Sequence, residues 1–194
     1  MTLIDRYLQG LRQVLPEASC AALELAQGAD PAQLGALREA YPQVPASLLE
    51  LLGRIDGTYW RDYQGTTICE LILGSDVFEY PYYLLSVEQM LEERSYAESI
   101  NDIYDGYLDE MPELIGAGVD PALAMNRRLC FSHCMNNGGT SKLYIDFDPA
   151  PGGSVGQVVR FLHDPDSYEV IAESFERYLE RLIEDDYAFV FDDE

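Results

Sequence analysis

An alternating stretch from Leu129 to Leu162 constrains the fold more than any other part of the chain. A pleated backbone sends successive side chains to opposite faces, so apolar residues at every second position indicate β-strands. The alternation is interrupted by turn residues in segments 136–139 (NNGG) and 148–153 (DPAPGG), which leaves three strands. Connections this short join antiparallel neighbours, which predicts a three-stranded meander. The alternating residues are Leu129 and Phe131, then Leu143, Ile145 and Phe147, then Val158 to Leu162.

Helix and strand patterns precede the meander. Capping residues at Thr2, Asp30 and Ser86 stand before helix-forming segments and predict helices there. Residues 45–55 are apolar almost all round, which is typical of a buried helix. Two strands with a hairpin at Gln64 and Gly65 are predicted in 58–74, the second being the run TTICELILG.

The remaining segments carry weaker patterns. Pro81 confines the aromatic run 78–85 to a sheet edge or to the start of a strand. Segment 101–120 is irregular and predicts short helices or a loop over the body, whereas 175–183 shows an amphipathic helical stripe. The tail 184–194 brackets an apolar run with acids, so we expect it to pack on the body or on a neighbouring molecule.

The charge is the unusual part of the composition. The chain has 35 acidic residues against 12 lysines and arginines, a formal net charge of −23. Such a surface repels nucleic-acid phosphate and anionic lipid and favours encounter with basic partners. We therefore expect no direct nucleic-acid binding and no membrane association, although acidity that only maintains solubility is an alternative explanation.

The expected compartment is the cytoplasm. The first residues lack a basic start followed by an unbroken apolar run, and no stretch approaches the roughly 20 apolar residues of a membrane span. Four cysteines without a dense spacing pattern are typical of free thiols in a reducing environment.

The residues Cys130, His133 and Cys134 are the closest approach to a metal-ligand cluster. In a regular strand Cys130 and Cys134 share one face while His133 points to the other, and the second histidine, His163, is distant in sequence. A nucleophilic triad and a phosphate-binding loop also lack the required spacing. We therefore predict no catalytic residue, no metal and no cofactor.

Two carboxylates in the meander, Asp146 and Asp148, are spaced to face the same way in a strand. Such a pair is compatible with acid-base catalysis in a hydrolase, but Asp before Pro is also ordinary turn chemistry. Aromatic residues interleaved with acids instead suggest a protein-binding surface, because aromatic side chains bury large rigid areas and acids pair with a partner's Arg and Lys. The predicted contact residues are Trp60, Asp62, Tyr63, Glu70, Tyr82, Asp146 and Asp148.

Several separate stretches resemble the SUKH superfamily, which includes yeast Smi/Knr-type cell-wall regulators and many bacterial immunity proteins. The stretches are 45–57 (PASLLELLGRIDG), 84–87 (LLSV), 143–159 (LYIDFDPAPGGSVGQVV) and 174–182 (SFERYLERL). The chain departs from the family pattern at 56–58, where DGT replaces the usual Asn and Gly pair, and 101–120 resembles an insertion. The matching positions are Pro45, Leu49, Gly57, Leu143, Asp146, Gly152, Gly156, Gln157, Val158, Ser174, Phe175 and Leu179.

The resemblance implies an α+β fold in which an antiparallel sheet of about five or six strands is flanked by helices. It implies one SUKH-like domain over 1–194, with a helical extension at 1–44, a core at 45–183 and an acidic, aromatic tail. It also implies a non-catalytic binding module, an immunity protein that occludes a basic toxin of nuclease or deaminase type. A regulatory scaffold that binds cellular proteins is the alternative, and the oligomeric state stays open.

Overall fold

A computed structural model describes residues 1–136 and 138–191 of the chain. Four helices come first, and capping boxes at Thr2 and Asp30 satisfy the free N–H groups of two of them. These helices are α1 (Leu3–Val14), α2 (Glu17–Leu25), α3 (Pro31–Ala40) and α4 (Ala46–Leu52). No helix within the described ranges is both long and apolar enough to cross a membrane.

The centre of the fold is an antiparallel six-stranded sheet whose strands follow chain order. A separate two-stranded hairpin, β1 (Arg61–Tyr63) and β2 (Thr66–Ile68), precedes it. The six-stranded sheet contains β3 (Leu71–Leu73), β4 (Tyr82–Leu84), β5 (Leu129–Asn136), β6 (Gly139–Asp146), β7 (Gln157–Leu162) and β8 (Ser167–Ala172). The predicted α+β fold class and the predicted meander, now β5 to β7, are confirmed. The predicted turn residue Asn137 lies outside the described residues.

The run TTICELILG is not one strand, as the sequence predicted, but two strands in different sheets. It breaks at Cys69 and Glu70, where the Glu70 N–H donates to the carbonyl of Thr58 instead of continuing a ladder. Pro81 immediately precedes β4, which lies inside the sheet between β3 and β5. The strand-start alternative for this proline is therefore the correct one.

The two faces of the sheet are covered by different parts of the chain. On one face, α7 (Phe175–Glu184) packs against β5, with the rings of Phe131 and Phe175 edge to face at 5.4 Å. Segment 93–115 lies on the other face, where Glu93 contacts Lys142 and the ring of Tyr104 meets Tyr168. This segment follows α5 (Val87–Glu92) and contains α6 (Ile100–Tyr104) and short 3₁₀ turns, as the sequence predicted for 101–120.

The carboxyl-terminal tail packs on the body through its apolar run. Tyr187 and Phe189 are buried, and the Tyr187 hydroxyl donates to the backbone carbonyl of Tyr7 at 2.9 Å. The expected packing is therefore confirmed for Tyr187 and Phe189, Phe191 is 51% exposed, and residues 192–194 lie outside the described residues.

A β-bulge in β5 changes which side chains share a face. Cys130 lies opposite Tyr144 and His133 lies opposite Lys142, with the register shifting by one residue between them. Tyr144 and Lys142 are two apart on a regular strand, so Cys130 and His133 share a face of the sheet. The prediction that these two residues point to opposite faces is wrong, because the period of two holds only where no extra residue interrupts the ladder.

The segment that follows α4 is bonded to both ends of the β4 to α5 connection. The Asp56 carboxylate accepts the Val87 N–H at 2.9 Å and pairs with Arg61 at 2.7 Å. Thr58 exchanges hydrogen bonds with Leu84, its N–H donating to the carbonyl at 2.7 Å and its hydroxyl accepting the N–H at 3.0 Å. All of these groups except Arg61 are buried. We call the hydrogen bonds of Asp56 and Thr58 to Leu84 and Val87 the clasp, and they form part of the core.

Candidate partner-binding surface

The residues predicted to contact a partner do not form one surface. Trp60 is 65% exposed beside the hairpin, and Asp62 is exposed on β1. Glu70 is half-buried, and Tyr63 is buried, its hydroxyl donating to the carbonyl of Gly57 at 2.8 Å. The hairpin therefore presents Trp60 and Asp62 to solvent and uses Tyr63 to attach itself to the body.

Three of the predicted contacts lie elsewhere. Tyr82 and Asp146 are 0% exposed and are core residues, so neither reaches a partner in this structure. Asp148 is exposed just beyond the end of β6, where it pairs with Arg127 at 2.5 Å. The two aspartates pair with different arginines, since Asp146 lies 3.2 Å from Nε of the buried Arg128.

An aromatic group centred on Tyr59, the residue before Trp60 in the chain, adjoins the hairpin. The ring of Tyr59 lies 5.2 Å from that of Tyr83 and edge to face with His133 at 5.6 Å. Its hydroxyl is 3.7 Å from the sulfur of Met135, which is 64% exposed. We call Tyr59, Trp60, Asp62, Tyr83 and Met135 the hairpin patch. Its mixture of rings and a flexible thioether suits protein contact.

A second surface, which the sequence prediction missed, lies on the segment that covers the sheet. The chain contains no lysine or arginine between Arg94 and Arg127, and the exposed acids there are concentrated in 98–113. Large apolar side chains are exposed among them. We call this surface the acidic segment; its acids are Glu98, Asp102, Asp105, Asp109, Glu110 and Glu113, and its apolar residues are Tyr96, Ile103, Tyr107 and Met111.

The acidic segment is held by a capping box within it and by backbone hydrogen bonds to residues 121–125. Ser99 and Asp102 form a capping box at the start of α6, and Asp105 and Gly106 end this helix in left-handed conformations. The Asn101 N–H donates to the carbonyl of Pro121 at 2.9 Å, and the Met125 N–H donates to that of Glu98 at 3.1 Å. Because the surface is preformed, a partner does not have to order it on binding.

Within residues 1–136 and 138–191, none of the six carboxylates of the acidic segment forms an ion pair, and the nearby Lys142 lies over the ring of Tyr96 and pairs with Glu93. Like charges repel one another, and a basic partner relieves that repulsion while its apolar residues cover the exposed rings. The sequence does carry a signal for this surface, because residues 95–126 contain acids but no lysine or arginine. Counting charges along the chain identifies this stretch.

A cluster of Glu93, Cys130 and His133 lies beneath the hairpin patch. One oxygen of Glu93 is 2.7 Å from Nζ of Lys142, and the other is 3.2 Å from Nε2 of His133. Burial acts to raise the pKa of Glu93, but His133 and Lys142 outweigh it and hold that pKa below its usual value. Burial also raises the pKa of the Cys130 thiol, and the neighbouring Glu93 carboxylate raises it further.

Comparison with known proteins places the sequence in a family. No curated protein matches the chain. The SMI1/KNR4 family (SUKH-1) matches residues 28–181, which include α3 and therefore begin within the segment assigned above to an amino-terminal extension. Since the match covers most of the chain and the six-stranded sheet with its flanking helices agrees with the expected fold, this chain belongs to the SMI1/KNR4 family (SUKH-1).

Proposed function

We propose that this chain is an immunity protein that binds a basic toxin domain and blocks it by occlusion, without catalysing a reaction. The acidic segment provides the main contact surface in this proposal, and the hairpin patch provides a second one. The observation that carries it is the combination of exposed carboxylates and exposed apolar side chains between Arg94 and Arg127, where no basic residue intervenes.

The chemistry of this surface matches a cationic protein. Toxins that act on nucleic acid carry basic clefts for phosphate, and a chain with net charge −23 is drawn toward such a cleft. Tyr96 and Tyr107 are 60% and 63% exposed, and tyrosine combines a large apolar ring with a hydroxyl that hydrogen-bonds at a wet interface. Charge would then set the rate of encounter, and the rings would lengthen the lifetime of the complex.

The absence of catalysis is supported by the position of the two carboxylates that suggested a hydrolase. Asp146 is fully buried and pairs with Arg128, while Asp148 pairs with Arg127 at the surface. Acid-base work on a substrate needs carboxylates that converge on an accessible point. These two are each engaged by a separate guanidinium group instead.

Co-expression tests the proposal directly. Toxin domains encoded beside this chain's gene are expressed in a bacterial host with and without the protein, and colony survival is counted. We expect survival to be restored for one basic toxin domain. Unchanged survival for every neighbouring toxin candidate contradicts the proposal, and stoichiometric co-purification with a cellular protein unrelated to toxins supports the regulatory scaffold instead.

Neutralising part of the acidic segment is expected to slow binding of that toxin. The variant Asp109→Asn, Glu110→Gln, Glu113→Gln should reduce the association rate constant about tenfold at low salt, because steering depends on the local field. The matched control, Glu24→Gln, Glu39→Gln, Glu173→Gln, removes the same amount of charge from exposed sites outside the segment and should change the rate less than about twofold. Equal slowing by both variants would show that only overall charge matters.

The contribution of the hairpin patch is tested by Trp60→Ala. If this ring is buried by the partner, dissociation should be about 30-fold faster, a loss of about 2 kcal/mol. Val155→Ala is the control, because Val155 is similarly exposed at 63%. It lies in the loop between β6 and β7, at the end of β6 opposite to the end near Met135 of the hairpin patch. Surface plasmon resonance measures both dissociation rates, and equal rates would remove the hairpin patch from the interface.

A further inference from the structure

The bulge in β5 brings together side chains that a regular strand would separate. Cys130 and His133 share one face of the sheet, and Glu93 reaches them from the segment that covers this face. The Cys130 sulfur, an imidazole nitrogen of His133 and a carboxylate oxygen of Glu93 lie within 4.8 Å of one another. A thiol, an imidazole and a carboxylate are three of the ligand types that zinc prefers.

The separation between His133 and Glu93 also fits that of two ligands of one metal ion. Nε2 of His133 is buried, and no described residue forms a well-aligned hydrogen bond with it, although Oε1 of Glu93 is only 3.2 Å away. Two ligand atoms each about 2.0–2.1 Å from a tetrahedral zinc are separated by about 3.3 Å. The observed separation of 3.2 Å therefore fits one edge of a tetrahedron.

Lys142 completes the surroundings as an outer partner of the carboxylate. Its Nζ donates to Oε2 of Glu93 at 2.7 Å, which leaves Oε1 directed toward His133. Metal-ligating carboxylates are commonly fixed by such outer hydrogen bonds. The Lys142 ammonium group repels a nearby cation. The Cys130 thiolate and the Glu93 carboxylate together carry two negative charges, and Lys142 offsets one of them, so a net negative charge remains to attract the metal.

We propose that Glu93, Cys130 and His133 bind a zinc ion, with a fourth position open to water or to a group from outside. On binding, the Cys130 thiol loses its proton to solvent and its sulfur forms a bond to the metal. Because the three ligand atoms lie within 4.8 Å of one another, binding requires the Cys130 sulfur to move to about 2.3 Å from the ion. The ion joins β5 to Glu93, the first residue of the segment that covers the sheet.

The position of the site suggests what the metal would stabilise. The His133 ring packs edge to face against Tyr59, the residue next to Trp60 in the hairpin patch. A metal bond to His133 fixes this ring, and through it the base of the patch. Metal binding itself requires no protein partner, so the site is tested on the isolated chain.

Cobalt provides the probe, because a cobalt ion bound by thiolate shows a near-ultraviolet charge-transfer absorption band that zinc does not. Cobalt chloride is titrated into the reduced protein, and zinc is then added in competition. We expect one cobalt ion per chain with a thiolate band, and loss of the band when zinc displaces it. Saturating zinc should also raise the melting temperature, since an ion that binds only the folded state stabilises it.

Two variants on the same strand assign the sulfur ligand. The band should vanish in Cys130→Ser and persist in Cys134→Ser, because Cys134 lies opposite Ser141 on the other face of the sheet. Zinc affinity should fall at least tenfold in His133→Gln, since even outer-shell changes cost about 10–100-fold. The proposal is overturned by a titration without one-to-one binding, or by a band that survives in Cys130→Ser, which would assign binding to another thiol.

Discussion

Replacement of Arg128 by methionine is expected to lower the free energy of unfolding by about 3–5 kcal/mol, because it leaves a buried carboxylate without its counter-charge. Arg128 is 1% exposed and Asp146 is 0% exposed, with Nε and Oδ2 3.2 Å apart. A charge in the interior is tolerated only when it is paired and hydrogen-bonded. Methionine supplies similar volume, so the measured loss reports charge and hydrogen bonds more than packing.

The Arg128 side chain also holds the segment that leads back to the sheet. Nη2 donates to the carbonyl of Asp120 at 2.7 Å and Nη1 to that of Leu123 at 3.3 Å. The partner carboxylate is itself held in place, since the Asp148 N–H donates to Asp146 at 3.1 Å and the Gln157 amide lies 3.4 Å away. Residues 120–123 in turn bind the acidic segment, since the Asn101 N–H donates to the carbonyl of Pro121. The variant therefore weakens the attachment of the acidic segment as well as the core.

The neighbouring residue supplies the matched control. Arg127 pairs with Asp148 at 2.5 Å, but the two side chains are 60% and 45% exposed. Exposed pairs contribute about 0–1 kcal/mol, so Arg127→Met should change the free energy of unfolding by no more than that. Urea denaturation followed by fluorescence measures both variants, and similar losses for Arg127→Met and Arg128→Met would contradict the role assigned to burial.

A double replacement separates the lost charge pair from the lost anchor. In Arg128→Met combined with Asp146→Leu no unpaired charge remains, and such substitutions recover stability in other buried pairs. We expect the double variant to be more stable than Arg128→Met alone. If it is less stable, the hydrogen bonds from Arg128 to the carbonyls of Asp120 and Leu123 contribute more to the free energy of unfolding than the charge pair with Asp146 does.

These two arginine pairs show where sequence reasoning reaches its limit. Arg127 and Arg128 are adjacent, and Asp146 and Asp148 are two apart, so nothing local distinguishes the buried pair from the exposed one. Burial is decided by tertiary contacts, some of them distant in sequence, such as the Tyr41 hydroxyl with the Arg128 carbonyl and the Gln157 amide with the Gly118 carbonyl. The prediction of Asp146 as a contact residue followed from its type and spacing, and the structure shows it in the core.

Local signals, in contrast, predicted most elements of the fold. The alternation of Leu143, Ile145 and Phe147 and the capping residues Thr2 and Ser86 act over a few neighbours, and the corresponding strand and helices form as expected. The bulge in β5 escaped prediction because it is a property of the pairing between two strands. The same bulge brings Cys130 and His133 together with Glu93. Strand periodicity alone places Cys130 and His133 on opposite faces, so it could not predict this cluster.

The acidic segment was missed for a different reason. Its pattern was visible in the sequence as a run without basic residues, but exposure had to be known before charge could be assigned to a surface. Ile103 and Met111 are apolar and would be expected inside, yet they are 49% and 39% exposed. An exposed apolar residue among acids indicates an interface more strongly than either property alone.

Replacement of Gly57 by alanine is expected to lower the free energy of unfolding by about 4 kcal/mol, which combines a backbone cost with a steric one. Gly57 has a φ of +87°, a conformation that costs an L-residue about 1–2 kcal/mol. A Cβ added there would lie 2.5 Å from the backbone nitrogen of Ser86 and 2.8 Å from its Cα. Neither atom is the end of a flexible side chain, so the backbone must move.

That movement would disturb the clasp formed by the residues on either side of Gly57. Asp56 accepts the Val87 N–H, and Thr58 exchanges two hydrogen bonds with Leu84, all at buried positions. A buried group that loses its partner costs about 1–3 kcal/mol, which raises the total well above the backbone cost alone. Gly65→Ala isolates that backbone cost, because Gly65 has nearly the same φ, +85°, with no atom within 4 Å of the added Cβ. We expect Gly65→Ala to lose about 1–2 kcal/mol in the same urea experiment, and equal losses at the two positions would show that the close approach to Ser86 carries no energetic weight.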